Sequence, residues 1–165
     1  MKIAIISDTH IHDHVSKMQE LINRYFKDAD MIIHAGDYTT KGVVEILKLS
    51  KNFVGVYGNN DGEAIREMLK EKEVIKISGY KIGVYHGHGT KDTMDNAYDK
   101  FKNDKVDIIV FGHSHQPGII TKNKILMLNP GSINYRRKER WHSYIILNIN
   151  RDEMSTELIY ITGGH

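Results

Sequence analysis

The chain has 165 residues, which is typical of one domain, and we expect a single domain over residues 1–165. It has no cysteine, which excludes disulfide frameworks, zinc ribbons and thiol nucleophiles. Its 23 basic and 21 acidic residues leave a net charge of +2, too balanced to steer it onto nucleic acid or an anionic membrane. No apolar run approaches the ~20 residues of a membrane span, and the N-terminal one is too short for a signal peptide. We therefore expect a soluble, cytoplasmic protein.

Short runs rich in β-branched residues alternate with amphipathic helical patterns. The predicted strands are Lys2–Ser7, Asp30–Ala35, Asn52–Tyr57, Lys81–Tyr85, Asp107–Phe111 and Ile125–Leu128. Apolar residues at helical spacing lie between them, within residues 18–25, 43–47, 64–69 and 94–101. This alternation predicts βαβ units and a largely parallel sheet.

Two further regions have the pattern of antiparallel hairpins. Ser143–Ile149 and Glu157–Thr162 are predicted to be strands joined by residues 150–153. Gly79 and the following tyrosine predict a tight turn between Val74–Ile77 and Lys81–Tyr85. The sequence therefore predicts an α/β fold with more than one sheet, or one sheet with antiparallel margins.

Five of the predicted strands end in residues that can bind a metal ion. In chain order the motifs are Asp8-Thr9-His10, Gly36-Asp37, Gly58-Asn59-Asn60-Asp61, His86-Gly87-His88-Gly89 and Gly112-His113-Ser114-His115. Ligands of open α/β sheets bind beyond the carboxyl ends of the parallel strands, so these five loops should meet at one rim. The glycines before Asp37, Asn59 and His113 allow the sharp turns and close backbone approach that such loops need.

The candidate metal ligands combine carboxylate, amide and imidazole groups, and they are Asp8, His10, Asp37, Asn59, His86, His113 and His115. Such a mixture suits Mn²⁺, Fe²⁺, Co²⁺, Ni²⁺ or Zn²⁺. The set is too large for one tetrahedral structural zinc, but it suits two ions that share a carboxylate and leave room for water. Two such ions can hold a hydroxide and clamp the oxygens of a phosphate during in-line displacement. The pattern therefore predicts phosphoester hydrolysis.

This ordered series, which runs from Asp8 to His115, resembles the calcineurin-like metallophosphoesterase family. The short chain and residues 128–132 (Leu-Asn-Pro-Gly-Ser) are similar to its small bacterial and archaeal phosphodiesterases, the subgroup related to the retromer subunit Vps29. The resemblance implies two packed β-sheets flanked by helices, the αββα sandwich. It also implies a bridging hydroxide as the nucleophile and the following ligands: Asp8, His10 and His115 on one ion, Asn59, His86 and His113 on the other, and Asp37 between them.

The chain departs from the pattern of larger family members directly after Asn59. Those members commonly carry a histidine there that can protonate the leaving oxygen, whereas this chain has Asn60. An amide cannot act as an acid, although Asn60 can donate a hydrogen bond to a phosphate oxygen. His88 is the best replacement acid, with a plain loop residue as the alternative. Because general-acid help is worth about 10²–10⁴-fold, we expect good hydrolysis of esters with good leaving groups and poor hydrolysis of alkyl esters.

These observations together predict a phosphodiesterase that uses two divalent ions, with Mn²⁺ or Ni²⁺ favoured. Its substrate should be a small phosphodiester, with nucleotide-derived esters among the candidates, and neither membrane nor nucleic acid is expected as a partner. A phosphomonoesterase and a non-catalytic protein-interaction scaffold are the alternatives. A scaffold has no need for an intact ligand set, which favours an enzyme.

Other polar residues have structural interpretations. His34 is predicted to lie inside a strand and orient a ligand, and Asp61 to support the site without binding metal. Surface or capping positions are predicted for His12 and His14, and structural ones for His142 and His165.

The only dense basic patch is Arg136-Arg137-Lys138-Glu139-Arg140. It is interpreted first as a solvated loop. The alternative is a phosphate-facing or nucleic-acid-facing rim, helped by the neighbouring Tyr135 and Trp141.

Overall fold

The computed structural model describes residues 1–135 and 137–162, and within them two five-stranded β-sheets pack face to face between helices. The strands are β1 (Lys2–Ile6), β2 (Met31–His34), β3 (Asn52–Gly55), β4 (Lys72–Ile77), β5 (Tyr80–Tyr85), β6 (Ile108–Val110), β7 (Gly118–Lys122), β8 (Ile125–Asn129), β9 (His142–Ile149) and β10 (Met154–Ile161). The helices are α1 (Ser16–Leu21), α2 (Lys41–Ser50), α3 (Glu63–Met68) and α4 (Thr93–Phe101), and a π-helical segment, Ile22–Phe26, continues α1. The predicted two-sheet sandwich flanked by helices is confirmed.

The first sheet has the strand order β10-β9-β1-β2-β3. Its centre is parallel, with Ile3 opposite Met31 and Ile33 opposite Val54 in neighbouring strands. Strand β9 runs antiparallel to β1, and β10 pairs with β9 as the predicted hairpin. The C-terminal strands therefore extend the sheet away from the parallel βα units.

The second sheet has the order β4-β5-β6-β8-β7. Strands β5, β6 and β8 are parallel, and β4 and β7 close the two edges in antiparallel pairings. The tight turn predicted at Gly79 is present between β4 and β5, where Ile77 pairs with Tyr80. The expectation of a largely parallel arrangement was wrong, because both sheets are mixed.

Alternating side chains along the strands create three apolar layers. In β1, Ile3 and Ile5 face the inner layer, where they join residues of the second sheet such as Ile82. Ala4 and Ile6 face the opposite side, beneath α1 and α2. Helix α4 covers the outer face of the second sheet. Both sheets are thus buried on two faces, which explains the nearly continuous apolar runs of their parallel strands.

Several boundaries differ from those predicted from the sequence. Strand β7 was not predicted, and β10 begins at Met154, three residues before the predicted Glu157. None of the helices among the described residues has the length and apolar character needed to span a bilayer.

Candidate metal centre

The loops that follow β1 and β2 meet those that follow β5 and β6 at one rim of the sandwich. The backbone N–H of Asp8 donates to the carbonyl of Gly36, which links the first two loops at 2.9 Å. Across the sandwich, the N–H of His113 donates to Asp8 Oδ2 at 3.0 Å. In the same way, Nδ1 of His86 lies 2.7 Å from the carbonyl oxygen of Ala35. The rim therefore brings ligand-bearing loops from both sheets together, as the strand-end motifs predict.

Two glycines allow this close approach of the loops. Gly36 has a φ of 99°, and a Cβ there would lie 2.8 Å from Nδ1 of His86. A Cβ on Gly58 would lie 2.7 Å from the backbone nitrogen of Asp37. A side chain at Gly36 would crowd His86, and one at Gly58 would crowd Asp37, so each would displace a predicted ligand.

Five of the predicted ligands adopt a left-handed backbone conformation. Their φ angles are 52° for Asp8, 43° for His10, 63° for Asp37, 67° for His113 and 61° for His115. Such conformations cost about 1–3 kcal/mol each and persist where the surrounding structure enforces them, commonly at functional sites. Backbone strain is therefore concentrated in the loops that carry these predicted ligands.

Two carboxylates and three imidazoles alternate at the centre of the rim. Oδ1 of Asp8 lies 3.2 Å from Nε2 of His115 and 3.8 Å from Nε2 of His10. Oδ2 of Asp37 lies 3.6 Å from Nε2 of His10 and 3.4 Å from Nε2 of His86. His10 thus faces both carboxylates, and the five groups form one continuous cluster.

Within this cluster, two sets of three residues have ligand atoms that all lie within 4.8 Å of one another. One set is Asp8, His10 and His115, and the other is Asp8, Asp37 and His86. The sets overlap at Asp8, whereas the family resemblance implies that Asp37 is shared. Asp37 nevertheless contacts an imidazole of each set, so both carboxylates occupy the middle of the cluster.

The cluster has the properties of a site that holds cations. Four buried atoms of the cluster have no hydrogen-bond partner among the described residues: Asp8 Oδ1, His10 Nε2, His86 Nε2 and His115 Nε2. The buried Nδ1 of the neighbouring His113 has none either. A buried polar atom left without a partner costs about 1–3 kcal/mol, so several together require an explanation. Carboxylate oxygens and imidazole nitrogens around a shared space are the donor set of a divalent transition metal, and the residues fit one.

The imidazoles of His86 and His115 are held so that their Nε2 atoms face the cluster. Their Nδ1 atoms contact the main-chain carbonyls of Ala35, at 2.7 Å, and Tyr135, at 2.5 Å. A carbonyl only accepts, so each Nδ1 carries the proton and donates. That tautomer leaves the Nε2 lone pair free for a metal ion.

Asp8 is oriented by groups that the sequence did not reveal as part of the site. The hydroxyl of Ser7 donates to Asp8 Oδ2 at 2.6 Å, and the Ser132 hydroxyl donates to the Asp8 carbonyl at 2.7 Å. With Oδ2 occupied, Oδ1 remains for the cluster. The only sequence signal for Ser132 was its place in the segment that resembles the small phosphodiesterases.

The buried carboxylate of Asp61 ties the β2 and β3 loops together. Oδ2 accepts from the N–H groups of Asp37 and Gly58, and Oδ1 from those of Tyr38 and Thr39, at 2.7–2.9 Å. Burial raises the pKa of Asp61, although the backbone donors oppose the shift. Asp61 thus supports Asp37 through the backbone.

The electrostatics of the cluster favour ionised carboxylates. Burial alone would raise the pKa of Asp8, but the neighbouring imidazoles of His10 and His115 outweigh it and hold that pKa well below its usual range. Burial likewise opposes ionisation of Asp37, yet His86 lowers its pKa to about 2. Burial would lower the pKa of His86, and Asp37 raises it instead. Two buried anions therefore demand compensating positive charge at this position.

Two predicted ligands lie at the edge of this cluster. The ring of His113 stands edge-on to that of His86, with centroids 5.1 Å apart. Asn59 is exposed, and its side chain makes no hydrogen bond to the other predicted ligands in the described part of the chain. The metal-binding role of Asn59 therefore stays a prediction.

The two predicted catalytic residues flank the cluster on different sides. The amide of Asn60 donates to Asp37 Oδ2 at 2.6 Å, and its backbone N–H donates to Oδ1 at 2.9 Å. The His88 ring lies 5.7 Å from that of His86, and its Nε2 is 3.7 Å from Glu71 Oε1. Burial, followed by the charge of His86, lowers the pKa of His88, which favours a neutral imidazole.

His34 lies beneath the cluster as a neutral positioning group. Its Nδ1 accepts from the N–H of Gly36, and its Nε2 is therefore the proton-bearing nitrogen 3.1 Å from the Thr9 hydroxyl. The ring stacks on Tyr38, with centroids 3.8 Å apart. Burial lowers the pKa of His34 to about 3, so the ring holds Gly36 and Thr9 without adding charge.

The remaining histidines and the basic cluster lie in varied surroundings. His12 and His14 are exposed, and His142 is the first residue of β9. Arg137 and Lys138 are exposed, and the guanidinium of Arg140 lies 4.9 Å from the centre of the Trp141 ring. Arg136 and His165 lie outside the described residues.

Comparison with known proteins identifies the family. The sequence profile of the calcineurin-like phosphoesterase superfamily domain matches residues 1–152. The chain belongs to this calcineurin-like metallophosphoesterase family. The cluster of predicted metal ligands lies within the residues that this profile covers.

Two curated metallophosphoesterase relatives come from Methanocaldococcus jannaschii. The probable metallophosphoesterase MJ0623 is 37% identical over 134 residues, which cover 80% of this chain and 68% of the relative. The phosphodiesterase MJ0936 is 33% identical over 144 residues, which cover 79% of this chain and 83% of the relative.

A solved structure with the same fold is Vps29 of Entamoeba histolytica complexed with Zn²⁺. It has a TM-score of 0.73 and 24% identity, with 98% of each chain covered. This similarity shows a shared metallophosphoesterase fold.

Proposed function

We propose that this metallophosphoesterase hydrolyses phosphate diesters with two divalent ions held at the rim, within one domain. The observation that carries the proposal is the convergence of four buried ligand atoms, on Asp8, His10, His86 and His115, that have no hydrogen-bond partner among the described residues. The ligands on one side would be Asp8, His10 and His115, those on the other Asn59, His86 and His113, with Asp37 between. Mn²⁺ and Ni²⁺ are the ions we expect to support activity best.

The chain's own residues prepare this site for phosphate chemistry. A pair of divalent ions held by these residues would supply an activated water-derived nucleophile and positive charge for the phosphate oxygens. Ser7 and the His113 backbone hold Asp8, and Asp61 holds the loop that carries Asp37. These contacts fix the ligands before any ion or substrate arrives, so little reorganisation accompanies the reaction.

Asn60 supports the choice of a diester over a monoester. Its amide lies against Asp37, where it could turn to donate to a phosphate oxygen, but it holds no proton that an acid could release. Monoesters carry more negative charge and benefit from a proton donor or additional cationic groups. Asn60 and the curated phosphodiesterase relative support a diester as the substrate. We propose a small phosphodiester, with nucleotide-derived esters among the candidates.

His88 is proposed to contact substrate. Its ring is near that of His86, and its Nδ1 is buried without a hydrogen-bond partner among the described residues. Burial lowers the pKa of His88, which favours the neutral imidazole. We therefore propose that His88 orients the substrate and does not act as a general acid.

A phosphomonoesterase and a protein-interaction scaffold are the competing functions. The fold shared with Vps29 motivates the second. A scaffold has no need for strained, unpartnered ligands at a buried rim, whereas a metal-dependent hydrolase does.

The test compares two esters with the metal-free protein. We expect bis(p-nitrophenyl) phosphate to be hydrolysed when Mn²⁺ or Ni²⁺ is added, and p-nitrophenyl phosphate much more slowly. Faster turnover of the monoester would establish the phosphomonoesterase. No turnover of either ester with any divalent ion would favour the scaffold.

A further inference from the structure

A groove leads away from the metal centre on the side of Asn60. It has a volume of about 510 Å³ and is lined by His10, His12, Thr39, Asn60, Tyr135 and Arg137. His10 of the metal centre therefore forms part of the groove, and Tyr135 and Arg137, from the loop that carries the basic patch, form another part. Any arm of a substrate that extends past Asn60 enters this groove.

The groove is cationic. No acidic side chain is among its lining residues, and the exposed guanidinium of Arg137 has no ion-pair partner in the described part of the chain. Arg137 and His10, a predicted metal ligand, line this groove together, so the guanidinium lies along the path that leads from the metal centre.

A second groove on the other side of Tyr135 differs in that its lining includes an acidic side chain. It measures about 580 Å³ and is lined by Ser114, His115, Gln116, Tyr135, Arg137, Lys138 and Glu139. Arg137 and Tyr135 line both grooves, but Glu139 lines only this one. The Tyr135 ring lies 5.2 Å from that of His10 and 5.9 Å from that of His115. A phosphate on the Asn60 side therefore meets Arg137 with no carboxylate among the lining residues.

We propose that the groove beside Asn60 binds a second phosphate carried by one arm of the diester, with Arg137 as its cationic partner. A guanidinium offers paired donors that match a phosphate group, and this one is not engaged elsewhere among the described residues. The inference rests on the proposed function and narrows its substrates to nucleotide-type diesters with an additional phosphate. It gives Arg137 a role in substrate specificity.

Binding tests the proposal without requiring turnover. Calorimetry with the Mn²⁺-loaded protein would compare thymidine 5′-monophosphate with thymidine 3′,5′-bisphosphate, which differ only in the second phosphate. We expect the bisphosphate to bind about tenfold more tightly, because it gains a charge-assisted hydrogen bond. Arg137→Gln should abolish this advantage, and Arg137→Lys should retain part of it.

Lys138→Gln is the matched control, since it removes the same charge from the same loop but from a side chain that lines only the second groove. It should leave the advantage of the bisphosphate intact. Equal binding of the two nucleotides, or an advantage that survives Arg137→Gln, would overturn the proposal. An equal loss of the bisphosphate's binding advantage in Arg137→Gln and Lys138→Gln would also overturn it, because such a result indicates a non-specific effect of charge.

Hydrolysis of the 5′-(p-nitrophenyl) esters of the same two nucleotides separates this inference from the proposed function. We expect a higher kcat/KM for the ester that bears the 3′-phosphate, in an Arg137-dependent manner. Turnover of both esters at equal kcat/KM would contradict the second-phosphate site in the groove beside Asn60, but it would leave the proposed diesterase activity intact. Arg137-dependent binding without any turnover supports the groove and contradicts the diesterase.

Discussion

The predicted absence of general-acid catalysis depends on a single side chain, that of Asn60. Replacing it with histidine places an ionisable group beside Asp37, where the wild-type amide cannot donate a proton as an acid. We expect Asn60→His to raise kcat for diesters with poor leaving groups by about 10²-fold and to change p-nitrophenyl esters little. The measurement is the dependence of log kcat on the pKa of the leaving alcohol.

Asn60→Gln provides the control for this substitution, because it keeps an amide and should give no gain. A wild-type rate that hardly varies with the pKa of the leaving group would contradict the missing-acid hypothesis.

Asp61 is the second residue with a large predicted effect. Asp61→Asn replaces one acceptor oxygen with an NH₂ group that faces backbone N–H donors of the β2 and β3 loops. Leaving such buried donors unsatisfied costs about 1–3 kcal/mol each, so we expect a loss of at least about 2 kcal/mol in the free energy of unfolding. Urea denaturation measures it. Glu63→Gln, at an exposed site on α3, should change stability by no more than about 0.5 kcal/mol.

At the scale of elements, the sequence predicted the strands that are buried on both faces and failed at an edge. Strand β7 follows Pro117 and has little buried surface, so its sequence lacks the apolar run that marked the parallel strands. The turn after it also lacked a clear signal, since Lys124 occupies a left-handed position that glycine usually takes.

The same distinction applies to the candidate site. Side chains that follow strands in short motifs were recognisable, because adjacent strand ends place them together. Ser132 and Tyr135 come from a loop distant in sequence, and only the fold brings the Tyr135 carbonyl to His115. Their contacts are long-range, so no local pattern could predict them.

The β7–β8 turn provides a stability prediction. Asn123 and Lys124 have φ angles of 47° and 68°, the conformation of a two-residue hairpin turn that favours Asn-Gly. Lys124→Gly should therefore stabilise the protein by about 0.5–1 kcal/mol, measured as a higher urea midpoint with an unchanged slope. The same change at Lys76, an exposed position inside β4, should destabilise instead. Loss of stability in both variants would contradict the turn assignment.

Packing of α4 on the second sheet depends on Gly83 in β5. A Cβ there would lie 2.7 Å from the ring of Phe101, the last residue of the helix. We expect Gly83→Ala to destabilise the protein by about 1–3 kcal/mol through overpacking. In the double variant with Phe101→Leu, the loss of unfolding free energy should be smaller than the sum of the losses in the two single variants. The reason is that the smaller side chain makes room for the methyl group. Full additivity in urea denaturation would show that the two residues do not compete for space.

At the scale of the whole molecule, the metal centre lies where the two sheets meet. Asp8 comes from the first sheet, and both His86 and the backbone of His113 come from the second. A bound ion therefore contacts groups that are adjacent only when the sandwich is assembled. Metal binding should consequently contribute to the stability of the complete fold.

This coupling leads to a measurable change in thermal stability. An ion that binds only the native state stabilises it by RT ln(1 + [L]/Kd), about 2.7 kcal/mol at one hundred times Kd. We expect the melting temperature to rise with Mn²⁺ concentration in the wild type and hardly at all in Asp8→Asn, which weakens a ligand common to both ligand sets. His14→Asn, at an exposed position, should retain the full rise. An equal rise in all three proteins would show that Mn²⁺ stabilises the molecule at a site other than this cluster.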